Sequence, residues 1–387
     1  MNLIKHLLFI FFLFIFLTEL VMNRCSFFSP KPLIGSVINE AKPELSLDSW
    51  GAGTFQESFM KYYEQTLSIR PFLVRINNQI AYSLFNKIKV IYAEQGKQEL
   101  LYEDYYIVSY LGKSFAGDSV IKQNIGKLSF IQAKLKKQNI CLLIAIAPDK
   151  PSYFPEYFPE KYNKIKKTRS NYDAYIEQFE KQQINFIDYR KTFLNLKHFV
   201  KYPLFPRNGS HWSGYGAMIA ADTLFKKMER LKGIDLIDFY DKGGEVTDIP
   251  RGTDNDIGDA MNLICEKPSY KMYYPNIAFK SAKGKTKPNV LVIGDSFNWG
   301  FIDTYPFYPT LFDKKSAFWY YNNIVWWCGN NNETNMHVSD LNFKNEIKDR
   351  DYILILFNDP NTNNCSFRGF VDQLYNLVKT DTLFDKK

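Results

Sequence analysis

The sequence holds only four histidines in 387 residues: His6, His198, His211 and His337. It contains no H-E-x-x-H, so the helical zinc-hydrolase site is excluded. The five cysteines, at positions 25, 141, 265, 328 and 365, form no C-x-x-C pair, which removes the usual zinc signature. No metal site and no cofactor is therefore expected. Gly284-Lys285-Thr286 is not a phosphate-binding loop, because Phe279 stands where its first glycine belongs. Gly51-Ala52-Gly53 follows no strand and lacks the third glycine of a dinucleotide fingerprint. Basic residues are dispersed, and only Lys164 to Arg169 (K-I-K-K-T-R) clusters, so a nucleic-acid partner is not expected. The net charge of +8 allows a mild attraction to anionic polymers. Beyond the first 24 residues there is no low-complexity segment, and there is no internal repeat.

What is present is apolar and aromatic. Residues of the hydrophobic types make up 45%, enough for a sizeable core, and the length suits two domains or one large one. Aromatics reach 17%, with 33 Phe and 26 Tyr. Cores account for such a share first; carbohydrate-facing clefts also use Tyr and Trp faces. Leu7 to Leu17 is an unbroken apolar run that, with its flanks, approaches the ~20 residues needed to cross a bilayer. No A-x-A site follows, so residues 1–24 read as an uncleaved membrane anchor, with a cleaved signal peptide as the alternative. Residues 25–50 read as a linker and 51–99 as a helical region. An α/β domain is expected over 100–387, with an insertion at about 232–287. Among Cys265, Cys328 and Cys365, two can pair in an oxidising compartment, and spacing does not select them.

Periodicity places helices over Phe55 to Lys87, broken at Arg70-Pro71, and over Val120 to Lys137, Asn171 to Gln182 and Gly214 to Leu231. Short strands are expected at Val90 to Tyr92, Leu100 to Tyr102 and Ile184 to Asp188. Longer apolar runs at Ile140 to Ala147, Val290 to Ile293 and Tyr352 to Phe357 read as buried strands. Alternating strands and helices predict a doubly wound, mainly parallel sheet. The insertion carries Gly243-Gly244, Thr253-Asp254-Asn255-Asp256 and Gly258-Asp259, and suits either a substrate lid or a solvated excursion.

The chemistry-bearing stretch is N-V-L-V-I-G-D-S-F-N-W-G, residues 289–300. A buried strand ends at Gly294, and Ser296 follows at a sharp turn into a helix. Such a turn lifts the hydroxyl clear of the sheet beside free backbone N–H groups, although a serine there can also simply cap the helix. A base is needed, and His211, in the loop R-N-G-S-H-W-S-G-Y-G-A before a helix, is best placed among the four histidines. Oxyanion donors are expected from Cys328-Gly329-Asn330-Asn331 and from Phe357-Asn358-Asp359-Pro360; the latter also reads as a plain turn.

These residues resemble a family. Gly294-Asp295-Ser296 matches the first block of the SGNH (GDSL) hydrolases. Gly329 and Asn358 fall where that family carries its second-block Gly and third-block Asn. The order, with the His block ahead of the Ser block, resembles the AlgX/AlgJ-like O-acetyltransferases. Ser210-His211-Trp212 with the following G-Y-G-A, Ala147-Pro148-Asp149-Lys150 with Tyr153-Phe154-Pro155-Glu156, and the region Trp50 to Phe85 including Arg70 share the likeness. It covers about residues 50–375.

The resemblance implies a permuted SGNH hydrolase-like fold and acetyl transfer to hydroxyls of an exported polysaccharide through a Ser296 acyl-enzyme. It implies His211 as base, with Gly329 and Asn358 holding the oxyanion. Lys150, Trp212 and Tyr215 are the candidate substrate contacts. It further implies a multi-pass membrane O-acyltransferase as acetyl donor and a bacterial inner-membrane location, with the catalytic domain in the periplasm or outside. One departure stands out. The family's Asp two residues before the His is Gly209 here. Asn208 is the candidate to orient the imidazole in its place, and Asp188 is a second. A Ser-His dyad, a weakened site, a carbohydrate acetylesterase and a non-catalytic glycan-binding or assembly protein all remain open at this point.

Overall fold

The run Val290–Gly294 lies at the middle of a seven-stranded sheet in the computed structural model, which describes residues 2–25, 31–35, 40–329, 332–363, 366–381 and 384. The strands, numbered along the chain, are β1 (Cys141–Ala147), β2 (Phe186–Asp188), β3 (Val290–Gly294), β4 (Ala317–Tyr320), β5 (Ile324–Trp327), β6 (Asn332–His337) and β7 (Tyr352–Asn358). Their spatial order is β6-β5-β4-β3-β7-β1-β2. Pairings from β4 through β3, β7 and β1 to β2 are parallel; β4–β5 and β5–β6 are antiparallel. The architecture is a mixed α/β sheet, mostly parallel, as the alternation of elements predicts.

Side chains along each strand alternate between two separate cores, the period-two geometry of a strand. Leu143, Ala145, Val290, Val292, Leu354 and Leu356 face helix Gly214–Lys232, which answers with Ala217, Ala220, Leu224 and Met228. Leu142, Ile144, Leu291, Ile293, Ile353 and Ile355 face the other way, onto helices Asp118–Lys137, Asn171–Lys181 and Phe370–Thr380. Burial on both faces explains why these strands are continuously apolar.

Parallel pairing puts the carboxyl ends of β1, β2, β3 and β7 on one rim. Each is followed or closed by an aspartate: Asp149, Asp188, Asp295 and Asp359. Open α/β sheets place their ligand-handling groups on this rim.

The chain divides into two units, 1–91 with 257–267 and 92–256 with 268–387. The sheet belongs to the second. In the first, helices Thr54–Thr66 and Arg70–Phe85 meet at the expected break, with Pro71 in the first turn where its missing N–H is harmless. The Asn78 amide donates to Met261 O at 2.8 Å, tying segment 257–267 to the second helix.

The N-terminal expectation requires correction. Asn2–Cys25 is helical, but among the described residues no helix is long and apolar enough to cross a membrane. Its described side chains, at 3–14 and 17, include exposed apolar groups from Leu3 to Leu17. Residues 15–16 and 18–24 of the predicted span lie outside the described side chains. The single-pass inner-membrane location that rested on it is not supported. Cys141, Cys265 and Cys328 are free, and Cys365 lies outside the described residues.

The turn after β3 is locked from beneath. Asn298 is fully buried; its amide donates to Leu356 O at 3.0 Å and Asp295 O at 3.1 Å, and its carbonyl accepts from Tyr308 Oη at 2.9 Å. A Cβ on Gly294 would stand 2.2 Å from both the Asn298 amide and Leu356 O, so only glycine fits there. Replacing Asn298 by leucine strips the buried Tyr308 hydroxyl of its acceptor and removes one of the two donors to each of two buried carbonyls, and is expected to cost roughly 3 kcal/mol. Urea unfolding checks this; a loss under about 1 kcal/mol refutes the role of the amide as a lock.

Candidate active site

Ser296 is the first residue of a short 3-10 helix, Ser296–Phe301, that leaves the carboxyl end of β3. Asp295 is its cap. One carboxylate oxygen accepts from Phe297 N–H at 3.1 Å; the other accepts from Asn358 N–H at 2.7 Å and the Asn361 amide at 2.8 Å. Burial pushes the Asp295 carboxyl up, and these donors pull it back. The two bonds from Asn358 and Asn361 pin the end of β3 to the end of β7, and the third, from Phe297, closes the turn itself. They leave the Ser296 N–H, first of its helix, without an intrahelical partner.

His211 reaches the same rim from the loop before helix Gly214–Lys232. Ser213 caps that helix, its hydroxyl accepting from Gly216 N–H at 3.0 Å, which fixes the chain direction two residues after His211. Imidazole Nε2 lies 2.7 Å from Ser296 Oγ, across 85 residues of sequence. Nδ1 lies 2.6 Å from Asp256 Oδ2. A carboxylate only accepts, so Nδ1 carries the proton and Nε2 of the neutral ring accepts from the serine hydroxyl. Burial alone lowers the His211 pKa. The hydrogen bond and charge of Asp256, with Glu103 and Asp295, outweigh it and hold the ring above its ordinary value.

Asp256 was not among the residues singled out by motif. It lies in the expected insertion, at the start of helix Asp256–Ala260. Its second oxygen accepts from Ser210 N–H at 2.8 Å, so one carboxylate grips two consecutive residues of the histidine loop. Ser210 in turn donates its hydroxyl to Glu103 at 2.6 Å. Beside them, buried Asp254 accepts from Tyr274 Oη at 2.8 Å; burial pushes its carboxyl up to about 7.

Gly209 explains how Asp256 gets there. A Cβ at 209 would stand 2.4 Å from Thr253 O and 2.8 Å from Asp254 O. The bare glycine lets the 253–254 backbone lie against the histidine loop. The space a side chain at 209 would need is thus held by the loop that carries Asp256.

Several expected roles need correction. Asn208 does not back the imidazole; it is buried and its amide donates to Pro268 O at 3.2 Å. Asp188 caps helix Tyr189–Leu196 through Lys191 N–H at 2.9 Å and accepts from Tyr172 Oη at 2.8 Å. Gly329 is at the wrong end of the sheet. β5 runs antiparallel, so Gly329 follows Trp327, which pairs with Ala317 at the start of β4. There its backbone packs against Lys314 O, roughly 15 Å of strand away from the Ser296 rim. Asn330 and Asn331 lie outside the described residues.

Asn358 closes β7 on the correct rim. Its amide donates to Tyr106 Oη at 2.7 Å, and its carbonyl accepts from Asn361 N–H at 3.2 Å. Asp359 is buried against Arg190 at 3.0 Å; burial first, then the charge of Asp149, pushes its carboxyl up to about 8 against the pull of Arg190.

The three candidate substrate contacts are scaffold or neighbours. Lys150 is 1% exposed and donates to Leu101 O at 2.8 Å and Arg207 O at 3.0 Å. Trp212 is buried between Tyr189, Phe297 and Phe301, at ring distances of 5.7, 5.1 and 5.2 Å. By packing edge-to-face against Phe297, next to Ser296, it sets the histidine loop against the serine turn. Tyr215 is half-buried against Tyr202 and Tyr273, at 5.6 and 5.9 Å.

With this geometry in hand, residues 96–311, more than half of the chain, match the family model described as SGNH hydrolase-like domain, acetyltransferase AlgX. The chain belongs to that family. It is similar in structure to the O-acetyltransferase domain of Pseudomonas putida AlgJ, at 16% identity over 73% of this chain and 98% of that one, with a TM-score of 0.47. It is also similar to Pseudomonas aeruginosa AlgX, at 13% identity over 79% and 73%, with a TM-score of 0.49. Bacillus cereus PatB1 with a sulfonyl adduct matches at 12% identity over 70% and 97%, with a TM-score of 0.43. No curated protein matches.

Gly209→Ala is expected to push the 253–256 backbone off the histidine loop. The His211 imidazole pKa, followed by NMR, then falls toward the ordinary histidine value as Asp256 withdraws. An unchanged titration overturns the packing argument.

Proposed function

We propose that the chain is an O-acetyltransferase that works through an acetyl-Ser296 intermediate. The observation that carries this is the continuous relay from Asp256 through His211 to Ser296, with contacts of 2.6 and 2.7 Å. Membership of the acetyltransferase AlgX family supports transfer as the outcome. Ser296 Oγ attacks the acetyl carbonyl of a donor while His211 Nε2 takes its proton. Asp256 holds the imidazole in the required tautomer and stabilises the imidazolium. Collapse expels the donor's leaving group, which takes that proton. A hydroxyl of a polysaccharide acceptor then repeats the cycle in reverse, with His211 again as base. The Ser296 N–H and the Asn358 amide hold the oxyanion. The acetyl donor is proposed to be supplied by a multi-pass membrane O-acyltransferase, as the family resemblance implies.

The non-catalytic reading rested on a missing carboxylate, and Asp256 removes that ground. Water in place of the sugar hydroxyl makes the same machinery an esterase, so the acceptor decides between them. Mass spectrometry of an oligosaccharide incubated with an activated acetyl ester is expected to find acetylated sugar; free acetate alone refutes transfer.

Two variants test the relay. Ser296→Ala is expected to abolish turnover of p-nitrophenyl acetate, and undiminished turnover ends the nucleophile assignment. Asp256→Asn is expected to lower kcat by roughly 10³–10⁴-fold, the scale seen when a triad carboxylate is neutralised. The pH profile supplies the sign. The base must be neutral, and His211 lies above its ordinary value, so wild-type kcat/KM falls as pH drops through that raised value. In Asp256→Asn the acid limb moves to lower pH; a stationary limb means another group backs the imidazole.

A further inference from the structure

An SGNH-type oxyanion site draws on three donors, and this chain fills only two of them in the expected way. Gly329 is at the far end of the sheet. The turn that replaces it on the correct rim, Tyr321 to Asn323, has no backbone donor left. Tyr321 N–H goes to Gly294 O at 2.8 Å, Asn322 N–H to Trp319 O at 3.2 Å and Asn323 N–H to Tyr320 O at 3.0 Å. A buried hydroxyl stands nearby. Tyr106, on helix Asp104–Tyr110, has one hydrogen-bond partner among the described residues, the Asn358 amide, which donates to it. The Tyr106 hydrogen therefore points elsewhere and meets no acceptor among the described residues. Tyr106 is joined to both halves of the relay through its neighbours. Asn358 ties it to Asp295 at one side, and Glu103, three residues earlier on the chain, binds the Ser210 hydroxyl at the other.

We propose that Tyr106 is the third oxyanion donor, its phenolic O–H standing in for the backbone N–H that Gly329 does not supply. This rests on the acyl-transfer reading of Ser296. When Ser296 Oγ bonds to the acetyl carbon, the carbonyl π pair moves onto oxygen, and the serine proton passes to His211. Tyr106 donates a hydrogen bond to that oxygen and keeps its proton throughout. Burial first, then the carboxylates of Glu103 and Asp295, hold its hydroxyl well above the ordinary phenol value, so it does not ionise at working pH. A hydroxyl donor adds no charge to a rim already rich in carboxylates.

The test uses the full chain and p-nitrophenyl acetate. Tyr106→Phe is expected to lower kcat about 100-fold with KM little changed, the mark of an interaction made only in the transition state. Loss of an acceptor for Asn358 alone also slows the enzyme, so a second measurement separates the two roles. Fluorotyrosine at position 106 makes the hydroxyl a stronger donor and a weaker acceptor. If Tyr106 donates to the oxyanion, fluorination raises or preserves kcat; if it only positions Asn358, fluorination lowers it, and the inference is overturned. Ser296-dependent turnover in which Tyr106→Phe stays within twofold of wild type also overturns it, leaving the function intact. A wild-type chain without Ser296-dependent turnover overturns the function and this inference together.

Discussion

The grip of one carboxylate on two neighbouring residues governs the site. Asp256 binds the Ser210 N–H with one oxygen and the His211 ring with the other. A bidentate hold fixes the loop and the ring at once: the backbone contact seats the carboxylate, and the seated carboxylate orients the imidazole. Everything else at the rim is arranged about this. Glu103 takes the Ser210 hydroxyl, Trp212 wedges the loop against Phe297, and Asp295 keeps the serine turn attached to β7.

The cost of such a rim is electrostatic. Asp254, Asp295, Asp359 and Glu103 are all driven upward by burial, and each is compensated by donors or by a buried cation. Lys150 belongs to the same economy. Its ammonium is spent on the carbonyls of Leu101 and Arg207, and its charge steadies Glu103 and Asp254 from within the protein. A lysine read as a substrate contact is in fact part of the frame.

Much of the fold was legible in the sequence because buried parallel strands are written as continuous apolar runs. β1, β3 and β7 fall where those runs lie, and the Pro71 break falls between two helices. The pairing of Ser296 with His211 was legible for a related reason: Ser296 ends a parallel strand, and the polar loop into helix Gly214–Lys232 brings His211 to the rim where such strands end. Gly329 was misread because spacing carries no strand direction, and the reversal at Tyr321-Asn322 sends it to the opposite edge. Asp256 was missed because it stands 45 residues from its partner in a segment with little regular structure. The acidic run Thr253-Asp254-Asn255-Asp256 was its one trace, and nothing in such a run distinguishes a turn from a relay. Lys150 and Trp212 were expected to touch substrate and lie inside by packing.

Gly209 has a consequence for how such a site can change over descent. The Thr253–Asp254 backbone occupies the volume that any side chain at 209 would need, so the two sources of carboxylate are mutually exclusive. A lineage passing from one to the other must first empty position 209 and only then bring the distant loop in. Between those steps the base has no acidic partner. The return path is equally barred, because any side chain placed at 209 collides with the loop that carries Asp256. The two positions thus form an epistatic pair, readable as joint inheritance of a bare 209 and an acidic 256 wherever this version of the fold recurs.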